Sequence, residues 1–230
     1  MLSSHNLLRG LIGLLVVAAL GLGGLLWFDM DETEQLVERA QKGDADAQYA
    51  LAIAFDTGKG FEEDDAKAIV WYRRAAEQGH MHAQHNLGIS YENGEGVEQS
   101  IVEAVKWYQL AAAQGNQSSQ YNLGLLFSLG HAPIQRSDRQ ALQWFTMAAE
   151  QGHAKAQSNL GAMHALGLGT EKNLVQAYKW FTLAVNSYPP GEDREQEMKN
   201  LTRASEEMAP VQVELAKKLA EEWKPKPWKQ

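Results

Sequence analysis

One sentence of residues is written four times in succession, opening at Gly43, Gly79, Gly115 and Gly152, with a period of 36, 36 and 37 residues. A period of this size belongs to stacked helical hairpins, because one hairpin cannot cover its own apolar face and must bury it against the next. The copies are 43–78, 79–114, 115–151 and 152–188. Each opens with a small residue and a glutamine (Ala47-Gln48, Ala83-Gln84, Ser119-Gln120, Ala156-Gln157). Leu51, Leu87, Leu123 and Leu160 follow, each with a small residue behind it (Ala52, Gly88, Gly124, Gly161).

In the first copy Ala47, Gln48, Leu51, Ala52 and Phe55 fall on one face of an α-helix, here called helix A. A Gly-x-Gly turn follows in three copies (Gly58 and Gly60, Gly94 and Gly96, Gly167 and Gly169), supplying the positive φ angles at which a helix can stop. Ala68, Trp71, Tyr72, Ala75 and Ala76 then make a second helical stripe, helix B. Ala68, Ala104, Ala141 and Ala177 allow close approach of a neighbouring backbone, and the recurrent Trp71, Trp107, Trp144 and Trp180 are expected to fill the wedge between hairpins. The expected fold is all-α: a superhelix of four hairpins with capping helices at both ends.

At these residues the chain resembles the Sel-type repeat family, the longer relative of the tetratricopeptide repeat. The resemblance rests on A-x-A-Q-Y-x-L-A-x-x-F in residues 45–55, A-x-x-W-Y-R-R-A-A-E-Q-G in 68–79, and A-Q-x-N-L-G followed by Y-E-N-G-E-G in 83–96. Two departures stand out. The third copy has Gly130-His131-Ala132-Pro133 in place of the Gly-x-Gly turn, and the fourth has His164 where the others have Phe55, Tyr91 and Phe127. The resemblance implies a scaffold for protein or peptide partners in a bacterial host, with no catalytic residue, cofactor or metal.

The chain's 230 residues include no cysteine, so disulfides, thiol nucleophiles and thiolate metal sites are excluded. A formal charge of −8 argues against nucleic acid as a partner, since phosphate contacts need clustered Lys and Arg.

From Gly10 to Phe28 the chain carries no charged residue. As a helix rising about 1.5 Å per residue, this stretch spans roughly 28 Å, which matches a bilayer core. The small-x-small sites Val17-Ala18-Ala19 and Gly21-Leu22-Gly23 lie inside the apolar run rather than after it, so residues 1–30 are expected to be an uncleaved anchor. Arg9 before the run, with Asp29, Asp31, Glu32 and Glu34 after it, predicts a cytoplasmic N-terminus and an exported C-terminal domain. That places the repeats in the periplasm, on a single-pass inner-membrane anchor. Ala19 and Gly23 form a small-xxx-small pair through which the anchor could dimerise.

Residues 31–42 read as an N-terminal cap helix. After Pro189-Pro190-Gly191, residues 192–208 and a helix from Pro210 to about Trp223 should cover the last repeat, with Lys224 to Gln230 as a flexible tail. Glu222-Trp223-Lys224-Pro225 is similar to the closing stretch of many Sel-type proteins.

Several clusters invite a chemical role. His80, His82 and His85 lack the i, i+4 spacing of a helical zinc site, and His80 stands where Asp44, Asn116 and His153 stand, at a helix N-cap position. Glu62, Glu63, Asp64 and Asp65 precede a helix B, where acids suit the helix dipole. Gly58-Lys59-Gly60 is a helix stop rather than a phosphate loop.

The strongest binding candidate is a ladder of amides, Asn86, Asn122 and Asn159, one residue before each repeat leucine, with Ala50 as the unfilled first rung. In tetratricopeptide relatives helix A lines the concave groove and an Asn at a similar place grips peptide backbone. By resemblance these residues would do likewise, with Ile89, Ser90, Leu125, Leu126, Ala162 and Met163 setting specificity. An envelope glycan binder would need aromatics outside the buried stripe, and a hydrolase would need His82, His85 and Glu92 to converge.

Overall fold

The computed structural model describes residues 30–228, which form eleven α-helices and no strand among the described residues. The chain divides between Gln35 and Leu36, and of the N-terminal unit only 30–35, the opening of α1, is described. The expected anchor and its dimerisation pair lie outside the described residues. No helix among those described is long and apolar enough to cross a membrane.

The second unit completes α1 (Met30–Gln41) and continues with four hairpins. These are α2 (Ala45–Asp56) with α3 (Asp65–Glu77), α4 (Met81–Asn93) with α5 (Ile101–Ala113), α6 (Gln117–Leu129) with α7 (Asp138–Glu150), and α8 (Ala154–Leu166) with α9 (Leu174–Ser187). Two closing helices follow, α10 (Glu192–Glu206) and α11 (Pro210–Glu221). Consecutive helices from α2 to α10 pack on one another, α11 packs on α9, and α1 meets α2 through Leu36, Val37 and Ala40.

Every repeat helix starts on a side-chain cap. Asp44, His80, Asn116 and His153 accept the amide three residues on at the A helices, and Asp64, Ser100, Ser137 and Asn173 do so at the B helices. His80 serves through Nδ1, 3.1 Å from the Ala83 amide. Between the helices a backbone bond closes the loop at one place in all four copies: Asp64 N–H to Phe55 O, Ser100 to Tyr91, Ser137 to Phe127 and Asn173 to His164. The third copy therefore keeps its closure although its second turn glycine is missing.

The deepest aromatic ring in each hairpin is the one after the tryptophan. Tyr72, Tyr108, Phe145 and Phe181 are 1%, 0%, 1% and 3% exposed. Trp107 and Trp180 are buried as expected, whereas Trp71 and Trp144 are only half-buried. The reason lies in the partner helix. Gly88, Gly124 and Gly161 present bare backbone to the ring, and a Cβ there would fall 2.5–2.7 Å from Tyr108, Phe145 and Phe181. The tryptophan one residue away points toward the hairpin's margin.

A buried amide clamp joins each hairpin to what precedes it. Gln48, Gln84, Gln120 and Gln157 donate through Nε2 to the carbonyls of Ala40, Ala76, Ala112 and Ala149, near the end of the preceding helix, at 3.1, 3.1, 3.1 and 3.3 Å. Their Oε1 atoms accept from Gln78, Gln114 and Gln151 Nε2 at 2.7 Å each, and from Ser187 Oγ at 3.3 Å. Each of these carbonyls also accepts the amide of Gly43, Gly79, Gly115 or Gly152 in the turn that ends its helix, so the clamp fills the second lone pair from the next repeat.

The C-terminal stretch departs from expectation. Residues 224–228 are not free: Lys226 N–H donates to Glu150 O at 2.8 Å, Lys226 Nζ pairs with Glu150 Oε1 at 2.7 Å, and the Trp228 indole lies on Gly115. Trp223 meets Trp180 edge-on, with centroids 6.2 Å apart. Nothing in the residue pattern of 224–230 announces this docking, because its partners are backbone and glycine from distant repeats.

Gln120→Ala removes a fully buried clamp: the Ala112 carbonyl keeps the Gly115 amide but loses its side-chain donor, and the Gln151 amide is left unpaired. It should lower the unfolding free energy by about 2–3 kcal/mol. Exposed Gln117→Ala should cost less than about 0.5 kcal/mol. Denaturant melts followed by circular dichroism check this, and equal costs for the two variants would refute the clamp.

Candidate partner-binding face

Once core, caps and clamps are assigned, one stripe of the A helices remains accessible. In α4 it carries His82, Asn86, Ile89 and Asn93, in α6 Ser118, Asn122, Leu125 and Leu129, and in α8 Lys155, Asn159, Ala162 and Leu166. These positions are spaced i, i+4, i+7 and i+11, one face of a helix. Leu129 and Leu166, 64% and 69% exposed, are large apolar side chains at one register of the stripe. Sequence reasoning passed over both. The signal was available, since they follow Leu125 and Ala162 by one turn, but a leucine at a helix end reads equally well as core.

The expected specificity residues divide. Ile89, Leu125 and Ala162 lie on this stripe and are half-buried. Ser90, Leu126 and Met163 are buried, at 6%, 1% and 5% exposure, with Ser90 Oγ returning to Asn86 O at 3.1 Å. One position along a helix turns a side chain by about 100°, and that rotation moves them off the accessible stripe.

The three asparagines also differ. Asn86 donates through Nδ2 to the Tyr72 hydroxyl at 3.0 Å, and that hydroxyl donates to Asp56 at 2.9 Å. Tyr108 repeats the arrangement, its hydroxyl 2.6 Å from Glu92 and hydrogen-bonded to Asn122. Burial drives both phenols well above the ordinary tyrosine range, so they stay protonated and act as donors. In the third repeat Phe145 has no hydroxyl and Ser128 replaces the acid. Asn159 accordingly bonds the carbonyl of Lys155 at 3.0 Å within its own helix and contacts the Tyr121 hydroxyl. All three rungs thus reach a tyrosine of the preceding repeat, but only the first two join a buried tyrosine–acid pair.

The histidines are structural partners. His80 stacks on Tyr49 at 4.4 Å and His153 on Tyr121 at 4.7 Å, each a capping residue laid over the preceding A helix. His85 shares a hydrogen bond with Ser119 at 2.8 Å, and Glu92 is held by Tyr108, so His82, His85 and Glu92 do not form a hydrogen-bonded set. No group of three or more potential metal ligands occurs among the described residues. Asp64, from the acidic run, caps α3, and the Lys67 ammonium and amide hold its carboxyl below the usual range. The repeat tryptophans carry cations on their faces, Arg74 over Trp71 at 4.5 Å and Lys179 over Trp180 at 4.2 Å.

The family follows from these repeats. The Sel1 repeat model matches residues 45–80, 82–116, 117–153 and 154–187, and the chain belongs to the Sel1 repeat family. Such repeats are scaffolds that in general bind protein partners. The chain is similar to a protective antigen present in uropathogenic Escherichia coli strains displaying an SLR fold, at 34% identity and a TM-score of 0.71, over 83% of this chain but 40% of the antigen. It is also similar to a Sel1 repeat protein from Oxalobacter formigenes, at 27% identity and a TM-score of 0.66, over 80% of this chain and 82% of that one. Comparison with curated proteins returns no match.

Two predictions follow from the geometry. Asn86→Ala should cost about 1–2 kcal/mol by stranding the Tyr72 hydroxyl network, and Asn159→Ala less than about 0.5 kcal/mol, in parallel denaturant melts. Equal costs would contradict the division of the ladder. The second concerns acid. Burial pushes His85 down to about 4 and also lowers His80, His153 and His164. The unfolded chain then binds more protons than the folded one below pH about 6.5. Stability is complete above that value and is lost as pH falls toward about 4. Melting temperatures should decline across this window, and less steeply in His85→Gln. Parallel declines would remove His85 as a contributor.

Proposed function

We propose that the chain is a membrane-anchored scaffold that holds a protein or peptide partner on the exposed stripe of its A helices, as an adaptor or regulator in a bacterial cell-envelope process. The observation that carries this reading is the stripe itself. Leu129 and Leu166 stand exposed at one register, Asn159 lies outside the buried tyrosine–acid pairs, and Leu125 and Ala162 lie one turn before the two leucines. A short apolar row flanked by amides suits an extended or helical peptide, which needs a few pockets for side chains and polar groups for its backbone.

The anchor and periplasmic placement rest on the uncharged run from Gly10 to Phe28 and on Arg9 before it. Both solved relatives described above come from bacteria, which supports a bacterial host. A hydrolase draws no support from the separated His82, His85 and Glu92. A glycan-stacking role draws none from Trp71, Trp107 and Trp180, which are buried or covered by cations.

The test is cross-linked co-purification of the full-length protein from native membranes, beside a variant carrying Leu129→Ser, Leu166→Ser and Asn159→Ala. These positions are exposed or lightly engaged, so the variant should keep the wild-type melting profile. A partner identified by mass spectrometry, recovered with wild type and at least tenfold depleted with the variant, supports the stripe. Equal recovery would refute it. An alkaline phosphatase fused at the C-terminus should be active if the domain is exported, and an inactive, stably expressed fusion would overturn the placement.

A further inference from the structure

The junctions between repeats carry a second surface, distinct from the A-helix stripe. Each of the first three B helices is followed by a glycine with positive φ, Gly79, Gly115 and Gly152 at 90°, 96° and 97°. At Gly79 a Cβ would meet nothing within 4 Å, whereas Gly152 lies under Pro225 and Trp223, and Gly115 under Trp228. The C-terminal segment therefore crosses the solenoid along this glycine row, covering two of its positions and leaving the next one open.

The way it lies there is that of a bound peptide. Pro225 and Pro227 have no amide hydrogen, so Lys226 offers the only backbone donor across these three residues, and it reaches the Glu150 carbonyl at 2.8 Å. Glu150 closes α7, so this carbonyl has no partner within its own helix. The Lys226 ammonium pairs with the Glu150 carboxylate at 2.7 Å, and the segment carries three lysines in seven residues opposite a chain of formal net charge −8. The Trp228 indole sits on Gly115, where any side chain would collide with it, and its Nε1 is buried without a partner. Space remains beside the segment, lined by Met81, His82, His85, Asn116, Gln117 and Gln151.

We propose that this junction groove is a peptide-docking site, and that its ligand is an extended, basic, proline-containing segment of a partner protein anchored by a tryptophan. Residues 224–228 occupy it in cis and keep it closed to weak competitors. Prolines hold such a segment extended before it binds, which reduces the entropy lost on docking. Glycine at the junction gives the indole a flat seat, and Glu150 selects a lysine two residues before the aromatic. The groove adjoins the A-helix stripe at His82 and Ser118, but its tryptophan seat on Gly115 and its Glu150 contact lie off that stripe, so neither proposal depends on the other.

The probe is a fluorescein-labelled peptide of residues 224–230, Lys-Pro-Lys-Pro-Trp-Lys-Gln, titrated against the full-length protein in detergent. A tethered occupant acts at an effective concentration in the millimolar range, so Trp228→Ala in the protein should raise the apparent affinity for the peptide about tenfold. A peptide with alanine in place of tryptophan should not bind either protein. A benzoylphenylalanine at the tryptophan position should cross-link to residues 115–118 of the variant. Peptide binding that is equal in wild type and a variant of wild-type melting profile, or indifferent to the tryptophan, would overturn the proposal. A measurement on wild type needs no variant. Excess unlabelled peptide should accelerate amide exchange at Lys226, and unchanged exchange at saturating peptide would likewise overturn it.

Discussion

The buried glutamine near the start of each A helix is the interaction on which the solenoid depends. A helix that ends inside a stack leaves buried carbonyls that the turn after it satisfies only once, and losing a buried hydrogen-bond partner costs about 1–3 kcal/mol. Gln48, Gln84, Gln120 and Gln157 answer this four times with one geometry, donating backward to the preceding helix and accepting forward from the residue that ends their own hairpin. The amide is suited to the task because it donates and accepts at once. A carboxylate could only accept, and an apolar residue would strand both neighbours. Repeat length is tied to this register, since the clamp joins residues eight apart across a junction and about thirty apart across a hairpin.

Around the clamp the rings are placed by absence as much as by presence. Gly88, Gly124 and Gly161 have no side chain, so Tyr108, Phe145 and Phe181 lie flat on their backbone. The phenol oxygens then need partners, and the two hairpins that carry tyrosine carry an acid for it: Asp56 for Tyr72 and Glu92 for Tyr108. Where the ring is phenylalanine the acid is gone, with Ser128 and Ala165 at those positions. This matched change has a consequence for binding. The N-terminal half of the exposed stripe is occupied by its own hydrogen-bond networks, while the C-terminal half, with Asn159, Leu129 and Leu166, is left available.

Much of this was legible in the residues. Hairpin boundaries, caps and turn glycines are local matters of helix periodicity, short polar side chains and positive φ, and they recur four times, so each copy corroborates the others. The candidate site was legible only in part. Asn86, Asn122 and Asn159 look equivalent in the sequence, and their division depends on a ring from the preceding hairpin. Ser90, Leu126 and Met163 differ from Ile89, Leu125 and Ala162 by one position, and which of two adjacent positions faces outward is decided by the packing of the neighbouring helix.

By itself the sequence determined the fold class, the number of repeats, the N-caps and the absence of thiol chemistry, because these follow from short-range spacing and composition. Only the tertiary structure decided which ring lies deepest, which asparagines join a tyrosine–acid pair and where the C-terminal segment rests. Each of those depends on groups brought together from distant parts of the chain. Trp228 meets Gly115, and Lys226 meets Glu150, across separations of 113 and 76 residues. No local pattern encodes such contacts, since how the hairpins stack decides which distant groups face each other.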